Sequence, residues 1–145
     1  MDTDDAHRRF ASARVARLAT VGADGAPHLV PVVFALADNR VLMAVDFKPK
    51  HTPRLRRLDN IAATGRVSLL VDEYDENWDT LWWVRVDGHA VVVPGTDSVG
   101  VVAIDGLVAK YEQYAHARPE GPAIVVDDLR WRWWSAKRVV PGQGP

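Results

Sequence analysis

Three short apolar segments follow one another between tight turn signals, and this succession constrains the fold more than any other feature of the chain. VARLATV (15–21), HLVPVVFAL (28–36) and VLMAVDF (41–47) are separated only by GADGAP and ADNR. Each segment is rich in β-branched residues, and the Asp24-Gly25 pair is a strong hairpin signal. Strands joined this tightly pair antiparallel, because a parallel pair needs a long crossover. The spacing therefore predicts a three-stranded meander. Pro31 inside the second segment removes one ladder donor, which predicts a sheet edge, a bulge or a ligand-facing position.

The rest of the chain alternates strand and helix signals. Asp4 or Asp5 is expected to cap a short first helix with Phe10 on its buried side. Thr52 followed by Pro53 reads as a helix start, Leu55, Leu58 and Ile61 as its apolar face, and Gly65 as its stop. RVSLLVDEY (66–74) and TLWWVRVDGHAVVV (80–93) read as strands, the second bent at Gly88. A second main helix is expected over 98–114, with Val99, Val102, Ala103 and Leu107 inward. Two closing strands, AIVVDDL (123–129) and RWRWWSAKRV (130–139), follow the break at RPEGP. The order α-β-β-β-α-β-β-α-β-β predicts a mainly β protein, an antiparallel barrel with helices packed at its ends or side.

Composition narrows the function classes. The 145 residues suit one domain with a real core, expected over 1–140 and followed by a disordered tail. There are no cysteines, which excludes disulfides, thiolate nucleophiles and cysteine-ligated metal sites. A pI near 6.5 argues against a general nucleic-acid binder. The N-terminal stretch lacks the apolar core of a signal peptide, and no apolar run approaches a membrane span. A cytoplasmic protein with no membrane partner is the expectation.

One segment contradicts the near-neutral total. FKPKHTPRLRRL (47–58) holds Lys48, Lys50, Arg54, Arg56 and Arg57 beside His51, in a chain of formal net charge -1. A helix N-terminus already carries partial positive charge and unpaired N–H groups, so cations there repel it and one another. An anion at this point reverses each of those signs. It would take hydrogen bonds from the free N–H groups, the Thr52 hydroxyl and the cationic side chains. A phosphate or carboxylate site is one explanation, a solvated basic face another, and a nucleic-acid backbone a third.

Aromatic and titratable residues add less. Trp82 and Trp83 are adjacent on a strand and must face opposite sides, as must Trp133 and Trp134. Packing in a barrel or an interface explains most such rings. Trp78 differs, because it lies in the polar loop DENWD, where it could close over a flat substrate or simply pack on a partner. The five histidines show no metal-ligand spacing, so no metal site is expected. No acid/base pair stands out, which leaves the catalytic residues unassigned; Tyr74, His28 or a bound water are the available proton donors.

PHLVPVVFAL, VLMAVDFKPKHTPRLRRLDNIAATGRVSLLVD and LWWVRVDGHAVV together resemble the split β-barrel flavin and deazaflavin superfamily, the pyridoxamine-phosphate-oxidase-like proteins. Within it the chain is most similar to the actinobacterial branch of probable coenzyme F420-dependent oxidoreductases. The resemblance runs from about residue 13 to 135, and its specific part is KPK-x-T leading into RLRRL and NIA. It implies a six- to seven-stranded antiparallel split barrel and a homodimer with the cofactor between subunits. It further implies hydride transfer between F420 and a small electron-poor substrate. Carried over, Lys48, Lys50 and Thr52, with Arg54 nearby, match the phosphate-binding segment. The 28–33 strand, with His28 and Val32, and residues 44–46 around Val45 would supply walls and backbone contacts. Trp83 and Arg85 of the partner would approach the ring. The arginine and paired lysine that flavin-using oxidases place on the second strand are absent, which favours F420 over FMN. An F420, flavin or haem carrier with little catalysis, and an FMN-dependent oxidase or reductase, are the alternatives.

Overall fold

A computed structural model describes residues 1–46 and 55–136. Helix α1 (Thr3–Ser12) opens the chain. Its cap is Asp2, not Asp4 or Asp5. The Asp2 carboxylate accepts from the Asp5 N–H at 2.8 Å, and Asp5 reaches back to the Asp2 N–H at 3.3 Å. This reciprocal pairing satisfies two otherwise orphaned donors, which only the earlier aspartate is placed to do. Phe10 is buried as expected, with its ring 4.8 Å from Phe34 and 5.3 Å from Trp131.

The strands are β1 (Ala16–Val21), β2 (Pro27–Val32), β3 (Ala35–Ala37), β4 (Arg40–Ala44), β5 (Arg66–Glu73), β6 (Trp82–Val93) and β7 (Ala123–Ser135). They form one seven-stranded antiparallel sheet in the order β2-β1-β5-β6-β7-β4-β3. The sheet curls into a half-barrel whose edges, β2 and β3, do not pair with each other. Pro31 therefore sits on an edge strand, where its missing N–H is tolerated. Asp38 and Asn39 both adopt positive φ in the two-residue β3–β4 turn, the geometry a tight hairpin requires.

Three expected elements differ in the structure. The segment 28–36 is two strands, because the Phe34 N–H and carbonyl are both engaged by the Tyr111 hydroxyl, at 3.1 and 2.9 Å, rather than by a ladder. The helix over 98–114 is α3 (Ser98–Lys110) and α4 (Glu112–His116), divided at Tyr111, whose backbone is extended. The two closing strands are one. Asp128 takes a φ of 55° in a bulge opposite Gly88 and absorbs the extra residue, so β7 continues instead of turning. Gly88 is required there, since a Cβ would lie 2.8 Å from the Asp127 carbonyl.

Helix α2 (Arg56–Thr64) follows Leu55 and stops at Gly65, whose φ is 67° and whose N–H donates to Ile61. Leu55, Leu58 and Ile61 face the core, as their spacing predicts. Thr52 and Pro53 lie outside the described residues, as does the C-terminal tail.

The core has two parts. Inside the half-barrel, Leu18, Leu69, Val71, Val84, Val86, Ile124 and Val126 pack with Phe10 and Phe34. On the outer side, α3 covers β3, β4 and the first part of β7 through Ala103 and Leu107 against Ala35, Leu42, Ala123 and Val125. Val99 and Val102 point outward, contrary to expectation. A helix with valine on most sides leaves the choice of inner face to shape. The side bearing Gly100 fits, because its missing Cβ lets α3 close on the Pro94 carbonyl.

Candidate functional site

Alternation along the strands decides which side chains can form a site. Leu18, Val67, Leu69, Val84 and Val86 point into the core, so their neighbours in sequence point outward. Register then aligns those outward residues across the sheet. Leu29, Ala19, Ser68, Asp87 and Arg130 form one row. Pro31, Arg17, Leu70, Arg85 and Arg132 form the next, and Asp72, Trp83 and Trp134 a third. This part of the outer face has no helix over it among the described residues.

Two adjoining grooves run along it. One, of about 430 Å³, is walled by Leu29 of β2, Arg17 and Ala19 of β1, Ser68, Leu70 and Asp72 of β5, Tyr74, and Trp83 and Arg85 of β6. Most of its wall is apolar. The other, of about 580 Å³, shares Ala19, Ser68 and Arg85 with the first and adds Arg66, Asp87, Gly88 and Arg130. Arg85 stands between them. Its Nε is 3.2 Å from Asp87 Oδ1, too poorly aligned for a hydrogen bond. The same Asp87 oxygen accepts from the Ser68 hydroxyl at 2.5 Å. Arg17 lies 3.8 Å from Asp72.

The residues expected to form a site fall into separate places. Trp83 and Arg85 meet in the apolar groove. His28 and Val32 lie on the opposite face of edge strand β2, toward the interior, where His28 Nδ1 is buried without a hydrogen-bond partner. Val45 is in the core and its N–H donates to the Pro122 carbonyl at 2.8 Å, so neither its side chain nor its N–H is available to a ligand. Trp78, in a single 3-10 turn (Trp78–Thr80), is 75% exposed and borders neither groove. Lys48, Lys50, His51, Thr52 and Arg54 lie outside the described residues. Among the described residues, no cluster of histidine and acidic side chains could hold a metal ion, and no helix is long and apolar enough to cross a membrane.

Sequence reasoning did not find Ser68, Asp87, Arg66 and Arg130. Each is one polar residue in an alternating strand. Their convergence depends on register between segments up to 64 positions apart, which spacing within one segment does not reveal.

A second polar cluster joins the far side of the fold. The Lys110 ammonium donates to the Ala13 carbonyl at 2.6 Å and lies 4.0 Å from the centre of the Phe34 ring. Burial, with the Arg14 guanidinium nearby, brings its pKa down to about 8. Arg14 donates to the Lys110 carbonyl, and Tyr111 ties Arg14 to Phe34. This cluster fastens the α1–β1 link to the α3–α4 joint.

A seven-stranded antiparallel half-barrel with short helices, open between β2 and β3, is a split β-barrel. The chain belongs to the pyridoxamine 5'-phosphate oxidase family, whose model matches residues 3–136. Over 57 residues it is 40% identical to a 5a,11a-dehydrotetracycline/5a,11a-dehydrooxytetracycline reductase of Streptomyces rimosus, a match spanning 39% of each chain. Solved structures share the fold. HutZ, a heme storage protein from Vibrio cholerae, superposes with a TM-score of 0.70 at 15% identity, over 93% of this chain and 95% of that one. A FAD-binding protein from Mesorhizobium loti does so with a TM-score of 0.68 at 19% identity, over 92% of each.

Proposed function

We propose that this protein is an oxidoreductase that uses a flavin-type cofactor, coenzyme F420, to reduce a small electron-poor substrate. The observation that carries the proposal is the apolar groove backed by Trp83, which offers a flat wall of the size a conjugated ring needs. The partial likeness to a tetracycline reductase supports the reaction class. The preference for F420 over FMN rests on the sequence, where His28, Leu29 and Val30 stand in place of the basic residues of flavin-using oxidases.

The residues present fit such a group. The groove is walled largely by apolar side chains, and Arg85 lies at its margin with a buried Nε that makes no hydrogen bond. Lys48, Lys50, Thr52 and Arg54 would hold the phosphate. When bound, F420 supplies hydride chemistry. The chain's own part is placement and exclusion of water. Leu29, Ala19 and Leu70 keep the floor dry, Trp83 gives a stacking face, and Arg85 supplies positive charge where a substrate takes on electron density. The cofactor would lie between two copies, with Trp83 and Arg85 of one approaching the ring held by the other. The outward exposure of Leu29 (67%) and Trp134 (44%) on an uncovered sheet face favours such a dimer.

The test is a fluorescence titration of the purified protein with F420 and with FMN, wild type beside Lys50→Ala. Saturable micromolar F420 binding that Lys50→Ala weakens is expected. Absence of F420 binding overturns the cofactor assignment, and tighter FMN binding reassigns it. A second reading, a carrier with little catalysis, is favoured by the lack, among the described residues, of a paired acid and base in either groove. It predicts tight cofactor binding with no turnover across electron-poor acceptors.

A further inference from the structure

The outer face holds a charge imbalance that the fold does not explain. The outward positions of β1, β5, β6 up to its bulge and β7 beyond it carry Arg17, Arg66, Arg85, Arg130 and Arg132 against Asp72 and Asp87 alone. The chain as a whole is slightly acidic. Arg85 lies directly opposite Arg132, an arrangement that destabilises a sheet. Among the described residues, Arg66, Arg130 and Arg132 make no ion pair. Asp87 accepts from Ser68 and lies 3.2 Å from Arg85 Nε without an aligned hydrogen bond, so the Arg85 guanidinium keeps its donors for another partner.

We propose that this face binds a flat conjugated carboxylate, with its ring against Trp83 and Leu70 and its carboxylate held by Arg85, Arg66 and Arg130. The two grooves fit the two ends of such a molecule. The apolar one takes the ring, and the basic one begins where Arg85 stands. Guanidinium groups match a planar carboxylate with paired N–H donors, and an anion here relieves the arginine repulsion. That the molecule is the enzyme's substrate rests on the oxidoreductase reading above. The binding itself does not.

The experiment titrates the full chain with 2-naphthoate and with neutral 2-naphthamide, followed by tryptophan fluorescence, with thermal unfolding and mass in solution recorded alongside. Naphthoate is expected to bind at least about tenfold more tightly than the amide. Arg85→Gln and Arg130→Gln should each remove most of that preference while unfolding at the wild-type temperature. Arg118→Gln, which removes an ion pair to Asp105 of α3 away from this face, should leave it intact. Equal affinity for acid and amide overturns the proposal, as does no saturable binding. Arg85→Gln and Arg130→Gln variants that alter only the oligomeric state also overturn it, and assign these arginines to the contact between copies rather than to a ligand. Because the titration needs no cofactor, failure to bind F420 and failure to bind naphthoate are read separately.

Discussion

The outer surface of the sheet has two halves made in different ways. Over β3, β4 and the first part of β7, small and aliphatic residues lie beneath α3, and Ala103, Ala123 and Leu107 are wholly removed from water. Over β1, β5, the first part of β6 and the end of β7, the outward residues are mainly arginines, tryptophans, Ser68 and two aspartates, with Ala19 and Leu70 among them, and no helix covers them among the described residues. Strand β7 runs through both halves. The switch falls at the bulge formed by Gly88 and Asp128, where one inserted residue re-aims β7. A single sheet can thus serve as core on one side of a bulge and as binding surface on the other.

Four measurements break or sharpen this contrast. The largest effect is expected from Leu107→Ala beneath α3, which should cost about 2–5 kcal/mol in urea unfolding, because a cavity replaces a side chain with no exposure. Gly88→Ala should cost about 1–3 kcal/mol, since the new methyl meets the Asp127 carbonyl and Val126 at the switch point. A cost near zero would show that the bulge moves freely and does not divide the halves.

Lys110 gives a pH-dependent effect of order 1 kcal/mol, discounted for the partial exposure of its ammonium. Its folded pKa, about 8, lies below the ordinary value of 10.5. Between those values the unfolded chain binds more protons, so stability should rise as pH rises from about 8 toward 10.5. Lys110→Met should flatten that rise, and an unchanged slope would mean the ammonium is solvated. The smallest effect is expected from Leu70→Ala on the open half, about 1 kcal/mol or less in the monomer. A loss as large as that of Leu107→Ala would show that a second copy buries this face.

Much of the fold was legible in the chain. The Gly65 stop of α2, the bend at Gly88 and the opposed pairs of tryptophans all follow from local rules, because turn chemistry and alternation act over a few residues, whereas the expected three-stranded meander is instead two hairpins at opposite edges of the sheet. The errors share one cause. The break in the segment 28–36 depends on Tyr111, 77 positions from Phe34. The outward turn of Val99 and Val102 depends on how closely α3 can approach Pro94. Of the candidate site, Trp83 and Arg85 were named only through the family resemblance, whereas Asp87, Ser68 and Arg130 were not named at all, since each means little until register sets it beside Arg85.

By itself the sequence determined the element types, the antiparallel connections and the presence of concentrated positive charge, because propensity, turn residues and charge are properties of neighbouring positions. The tertiary structure alone decided which sheet face is covered, that Val45 is core rather than wall, and that arginines from three strands converge on one groove. Those outcomes depend on distances between segments remote in the chain, and no local pattern encodes a distance across a fold.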